Sequence, residues 1–119
     1  MRKHHELLVW QDARKLVMDI YRLSSFLPNE ERFGLVAQMR RAAVSVPSNI
    51  AEGAARATPK EFIQFLCIAR GSLSELETQL ILSRDLGFLN DENECMARIN
   101  SIFSRINALI NTIKARSTQ

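Results

Sequence analysis

Glycine and proline are scarce, at four and three in 119 residues, which excludes a collagen-like chain and a flexible linker region. No short-period repeat or low-complexity run breaks the sequence. No apolar run reaches the ~18 residues that a membrane span requires. The N-terminal MRKHHELLVWQD has basic residues but neither an apolar centre nor a small-residue cleavage site. It is not read as a secretory signal, and a cytoplasmic location is the default expectation. There are only two cysteines, Cys67 and Cys95, both within apolar helical patterns. They read as small hydrophobic residues in a reducing compartment, since a zinc site wants Cys and His clustered at short spacing. The two histidines, His4 and His5, lie side by side outside any helical stripe and are expected to be solvated. A di-iron bundle would need Glu-x-x-His pairs on two helices. No metal site and no cofactor is therefore expected.

Catalytic constellations are absent as well. There is no Gly-rich phosphate loop and no nucleophile beside a base, and Glu75 and Glu77 point to different faces of a helix. No catalytic residue is assigned, and the chain is expected not to be an enzyme. The single tryptophan, Trp10, and the single tyrosine, Tyr21, do not make an aromatic platform for nucleic-acid bases. Trp10 is expected to pack at a bundle end or in a subunit contact.

What the chain does have is three- and four-residue apolar spacing almost throughout. Val9, Ala13, Leu16, Val17, Ile20, Leu23 and Phe26 define a first helix over 8–26, closed by Pro28-Asn29. A second begins at Glu30 or Glu31, whose charges suit a helix start. It runs over 30–56 through Phe33, Val36, Met39, Ala43, Val46 and Ile50. Thr58-Pro59-Lys60-Glu61 combines an N-cap, a proline at the first helical position and a capping glutamate. It opens a third helix, 59–86, that stops at Gly87. Asn90 is the expected cap of a fourth, 91–115, with the tail from Lys114 to Gln119 fraying. The chain reads as one all-α domain over 1–119. Short loops make successive helices antiparallel neighbours, which predicts an up-down-up-down four-helix bundle.

One stretch breaks helix rules. Gln38 to Arg56 contains Pro47, which should kink or break a helix, and polar Ser45, Ser48, Asn49 and Glu52. Counted in helical steps, Arg41, Ser45, Ser48 or Asn49, Glu52 and Arg56 fall on one face. On the third helix Glu61, Gln64, Ile68, Gly71 or Ser72, Glu75 and Gln79 do the same. Antiparallel counting places Arg41 near Glu75, Ser45 near Gly71 and Ser72, Glu52 near Gln64, and Arg56 near Glu61. Ser45, Ser48, Asn49, Glu52, Gly71, Ser72 and Glu75 thus form a candidate polar seam, within one chain or between subunits, and its small residues would admit close backbone approach. The formal net charge is only +3, and the cations are mostly arginine, the better partner for phosphate and carboxylate. Arg40 and Arg41 are the nearest thing to a basic cluster, with Arg32 and Arg56 further along the same helix.

These residues carry a resemblance. Leu8-Val9-Trp10-Gln11 with Ala13, Gln38-Met39-Arg40-Arg41-Ala42-Ala43, the run Ser45-Val46-Pro47-Ser48-Asn49-Ile50-Ala51-Glu52-Gly53, Glu61-Phe62, Ala69-Arg70-Gly71-Ser72 and Glu75-Leu76-Glu77 are similar to the intervening-sequence 23S rRNA proteins, a bacterial family of four-helix bundles. The likeness extends to about Leu89; the last helix matches only in pattern. The resemblance implies a ring-like homopentamer. It also implies kinship with the accessory proteins of diversity-generating retroelements, which bind nucleic acid and a reverse transcriptase. It supplies no catalytic residue.

Three functions compete. The leading one is a non-enzymatic oligomeric scaffold that contacts RNA or DNA, or a nucleic-acid enzyme, through Arg40, Arg41 and Arg56, then Arg32 and Arg70. The second is a protein-interaction adaptor whose arginines are ion-paired. The third is a small-ligand bundle or enzyme built on Glu52, Glu75 and Asn49 around a pocket.

Overall fold

A computed structural model describes residues 2–117. Four helices carry the fold: α1 (Leu8–Ser24), α2 (Leu35–Ala54), α3 (Pro59–Asp85) and α4 (Asn93–Ser117). Short 3-10 turns at Lys3–Glu6 and Asn29–Glu31 precede α1 and α2. Side-chain contacts fix the register of every neighbouring pair. Arg40 Nε donates to Ser24 Oγ at 2.9 Å between α1 and α2. Ser83 Oγ lies 3.7 Å from Met39 Sδ, and Ser45 meets Ser72, between α2 and α3. Arg70 donates to Asn107 at 2.8 Å between α3 and α4. Arg98–Asp19 at 2.6 Å and Arg105–Asp12 at 3.0 Å join α4 to α1. In the α2–α3 and α4–α1 pairs the residue numbers rise on one helix as they fall on its neighbour, and short loops turn the chain back between the other pairs, so all neighbours are antiparallel. Diagonal helices keep their Cα atoms more than 8 Å apart among the described residues. The result is an up-down-up-down bundle, 51 × 21 × 20 Å.

The core follows the spacing in the sequence. Ala13, Leu16 and Ile20 from α1, Met39, Ala43, Val46 and Ile50 from α2, Leu66, Leu73, Leu76 and Leu80 from α3, and Ile99, Ile102 and Ile106 from α4 are fully buried. Burial of each large aliphatic side chain is worth about 1.5–3 kcal/mol relative to exposure, which is why the periodic stripe outweighs any local irregularity. Pro47 shows this. α2 continues without interruption from Leu35 to Ala54, so the expected break does not occur. The proline removes one amide donor, but Val46 and Ile50 on either side are sealed in the core, and α3 packs along the helix above and below. Ser48 Oγ bonds the Val44 carbonyl and Asn49 Nδ2 the Ser45 carbonyl, each at 2.8 Å, so the polar side chains fold back onto the helix that they were expected to disturb.

Helix ends show where local signals were enough. Thr58 Oγ1 accepts from Glu61 N at 3.2 Å and donates to the Glu61 carboxylate at 3.0 Å, with Pro59 at the first helical position. Gly87, at φ +81°, ends α3. The Gly87 amide bonds Arg84 O and the Phe88 amide bonds Ser83 O, both at 2.9 Å, the paired pattern of a left-handed glycine cap.

Other boundaries move. α2 begins at Leu35, not at residue 30. Glu30 and Glu31 sit in their own 3-10 turn, Gly34 interrupts the chain, and Glu31 Oε1 instead receives the Leu35 amide at 3.4 Å. Phe33, counted with the apolar face, is therefore 86 % exposed, and Phe26, beyond the end of α1, is 66 % exposed. α4 starts at Asn93, and the Glu92 carbonyl accepts its first bond from Met96 at 2.9 Å; Asn90 lies ahead of the helix. α4 stays helical to Ser117; the rest of the expected frayed tail, 118–119, lies outside the described residues.

Candidate nucleic-acid interface

The α2–α3 seam forms in part in the expected register: Ser45 meets Ser72 and Arg56 reaches Glu61, but Glu52–Gln64 and Arg41–Glu75 do not pair. Ser45 Oγ and Ser72 Oγ are 2.8 Å apart, and Asn49 Nδ2 adds a bond to Ser45 Oγ at 2.9 Å. Arg56 reaches Glu61 at 3.9 Å, but its close partner is Glu52 at 2.9 Å within its own helix. Glu52 is thus occupied by Arg56 and not by Gln64. Glu75 accepts from Gln79 Nε2 at 3.2 Å, and no ion pair joins it to Arg41. Gln79 is buried, and its Oε1 has no partner. Ser48 turns outward onto Val44 O. Asn49, Glu52 and Glu75 are each satisfied by a separate neighbour, and they do not converge around a common reacting position.

The close approach between α2 and α3 occurs at a residue that the polar stripe did not include. Gly71 is exposed, and a Cβ built there meets nothing within 4 Å. Gly53 is the tight point. A Cβ there would stand 2.7 Å from Phe65 Cβ, 3.0 Å from Phe62 Cδ1 and 3.2 Å from Phe62 O. The signal was present in the sequence as a helical glycine four residues from a turn, facing Phe62 and Phe65 across the hairpin.

The five candidate arginines divide into two groups. Arg40 is held in the structure: it bonds Ser24 and the Tyr21 carbonyl and lies 4.5 Å above the Tyr21 ring. Arg56 is tied to Glu52 and stacks 4.7 Å from the Phe65 ring. Arg70 is bonded to Asn107 and contacts the Cys67 sulfur at 3.6 Å. Arg32, stacked on exposed Phe33 at 5.2 Å, and Arg41 have no carboxylate partner among the described residues.

Charge is distributed unevenly along the rod. Antiparallel packing gathers residues 2–14, 52–61 and 105–116 at one end, where eight Lys and Arg face four Asp and Glu. Residues 19–41 and 75–98 make the other end, with six Lys and Arg against nine Asp and Glu. Lys15 and Arg70 lie between. The bundle is thus positive at the end holding the N-terminus of α1 and the C-terminus of α4, and negative at the other, a separation that the total of +3 conceals.

The positive end is also where the aromatic and histidine side chains meet. His4, His5 and Trp10 form a cluster with ring centroids 4.3–5.0 Å apart, so the two histidines are half-buried against the indole and not freely solvated. Desolvation, then the neighbouring His5 and Arg2 charges, lowers the His4 pKa below its ordinary value. Arg14 stacks on Trp10 at 5.0 Å and Lys3 on Phe62 at 5.4 Å. A groove of about 800 Å³ runs past His5, Trp10, Arg14, Lys15 and Met18. A second of about 390 Å³ lies across the bundle end between Lys3, Phe62, Pro59 and Arg116. No group of three or more His, Cys, Asp and Glu residues able to hold a metal ion occurs among the described residues, and no described helix is long and apolar enough to cross a membrane.

The family model for the 23S rRNA-intervening sequence protein matches residues 5–112. A solved structure from Bacteroides thetaiotaomicron, of a protein with unknown function from the S23 ribosomal protein family, superposes with a TM-score of 0.80 at 24 % identity, covering 87 % of this chain and 96 % of its own. That likeness establishes the shared bundle fold. No curated protein matches the chain. Neither match refers to a retroelement. By the extent of the family match, the chain belongs to the 23S rRNA-intervening sequence protein family.

Proposed function

We propose that this member of the family is a non-enzymatic, self-associating helical scaffold that contacts the backbone of RNA or DNA. The observation that carries the reading is the segregation of charge: an arginine- and lysine-rich end on a bundle whose net charge is small. A polyanion responds to the local field, and a concentrated positive surface attracts it even when the total charge is modest. Self-association is supported by the outer side of α2 and α3. There, exposed Val44, Ile68 and Leu82 lie among Arg41 and Glu75, neither of which has an opposite-charge partner. Apolar side chains flanked by unpaired charges suit contact with a second copy. A ring of five copies is the assembly that the resemblance implies.

Binding of labelled RNA and DNA across a salt series, with light scattering to count subunits, tests the reading. Backbone contact predicts affinity that falls steeply with salt and varies little with sequence. No retardation of either nucleic acid at low salt removes it. The adaptor reading retains one argument, the internal commitment of Arg40, Arg56 and Arg70. A protein partner bound without nucleic acid would favour it.

A further inference from the structure

We infer that the positive end of the bundle is a site for single-stranded nucleic acid, and that Trp10 and the two grooves flanking the N-terminal 3-10 turn, rather than the arginines of α2, receive it. The inference rests on the nucleic-acid reading above and assigns it a place. Three observations on this end converge. Lys60, Lys114 and Arg116 at this end, and Lys15 at its margin, have no carboxylate partner among the described residues, so their charge is available to phosphate. Both grooves contain an aromatic ring with a cation against it, Arg14 on Trp10 and Lys3 on Phe62. Lys60 and Lys114 share a further shallow groove with Ile63, immediately beside the second.

This chemistry favours unpaired bases over a duplex. A duplex presents two rows of phosphates, and cations on an open surface suffice for it. A half-exposed ring beside a cation, Trp10 with Arg14, fits bases that are free to leave their stack, because an aromatic side chain supplies stacking and cations follow the backbone; Phe62, buried with the core, only floors the second groove. Grooves of about 800 and 390 Å³ fall in the range that holds a molecule the size of a nucleotide. The concavity also argues against a lipid surface, which binds protruding amphipathic faces. The 3-10 turn Lys3–Glu6 lies between the two grooves, so a strand crossing it would be gripped on both sides.

The test compares two charge-reversing pairs that change net charge equally. Lys60→Glu with Lys114→Glu alters the positive end; Arg22→Glu with Arg32→Glu alters the negative end. All four side chains are exposed and lack salt-bridge partners, so the fold should tolerate them, and circular dichroism verifies it. The probes are fluorescein-labelled U15 and dT15, a DNA hairpin, and phosphatidylserine vesicles. The expected result is an affinity for U15 or dT15 at least tenfold weaker for the first pair, with a salt slope shallower by about 1.4 for two lost phosphate contacts on a single strand. The second pair should change affinity by less than threefold. Emission from Trp10, the single tryptophan, should change on binding of the unlabelled strands to the wild-type protein. Equal losses for the two pairs, an unaltered Trp10 emission at saturation, tighter binding of the hairpin, or comparable binding of vesicles would each overturn the assignment. A wild-type protein that binds no nucleic acid at low salt overturns the functional reading itself.

Discussion

Two glycines in adjacent helices should respond in opposite directions to the same substitution. Gly53 and Gly71 both lie inside helices, α2 and α3, so alanine gains about 0.5–1 kcal/mol at either from backbone entropy. At Gly71 nothing opposes that gain, because no atom stands within 4 Å of the new methyl group. At Gly53 the methyl would lie 2.7 Å from Phe65 Cβ and 3.2 Å from the Phe62 carbonyl oxygen. Neither atom is the free end of a flexible side chain. The hairpin must open by several tenths of an ångström, which loosens the packing of Phe62 and Leu66 behind it. Overpacking costs about 1–3 kcal/mol, and contacts of this closeness to a Cβ and a backbone oxygen belong to its upper half, so Gly53→Ala should destabilise by about 1–2 kcal/mol after the helix gain is subtracted. For a chain of this size that corresponds to a melting temperature lower by roughly 4–8 °C, and Gly71→Ala should raise it by roughly 2–4 °C. Urea unfolding followed by circular dichroism provides the free energies, and an unchanged m-value would show that the native packing alone is affected. If Gly53→Ala is as stable as the wild type, or both variants shift the same way, the close approach at Gly53 is wrong.

Thiol chemistry should separate the two cysteines. Cys67 is exposed and should react at once with a thiol reagent, whereas Cys95 should react only on unfolding. Burial, reinforced by Asp19 and opposed by Arg98 and Arg22, pushes the Cys95 pKa up to about 12. Its folded pKa lies above the unfolded one, so its contribution is fully present below about pH 8.5 and is lost as pH rises towards the folded value. Alkaline unfolding scans should show that loss in the wild type and a smaller one in Cys95→Ala. His4 behaves in the opposite sense. Its folded pKa is depressed, so its contribution is present above about pH 6.5 and is lost on acidification through the folded value. Trp10 emission should change with acid over that window, and His4→Gln should remove the change; an identical titration in the variant would dissociate His4 from the indole.

The parts of the fold legible in the sequence are those set within a few residues. Thr58-Pro59-Lys60-Glu61 and Gly87 marked the limits of α3 because capping is local chemistry. Fully buried Leu16, Met39, Leu73 and Ile102 obeyed the apolar spacing because each helix buries one stripe. Phe33 misled for the same reason: it sits at helical spacing, but the interruption at Gly34 removes it from the helix. Ser45 opposite Ser72 followed from counting along a hairpin. Gly71 was chosen over Gly53 because the count gives register, whereas approach distance depends on which face each residue turns to its neighbour. Four of the five candidate arginines were selected by proximity along the second helix, with Arg70 added from the third, and three of the five prove to have work inside the bundle. The positive end was hidden because it is assembled from three separated segments, none of which is strongly basic alone.

That opposition of charge along a rod of 51 Å constrains how copies can be arranged. Copies laid side by side in the same direction would set like ends against one another, and the repulsion would be strongest in dilute salt. Copies joined end to end would attract under the same conditions. At physiological ionic strength the screening length is about 8 Å, far shorter than the rod, so the long-range attraction fades while apolar contacts along the sides persist. If copies associate along their sides as proposed, salt would select the geometry: little of it would favour strings of molecules, and physiological ionic strength would favour flat, two-sided discs with one positive and one negative surface.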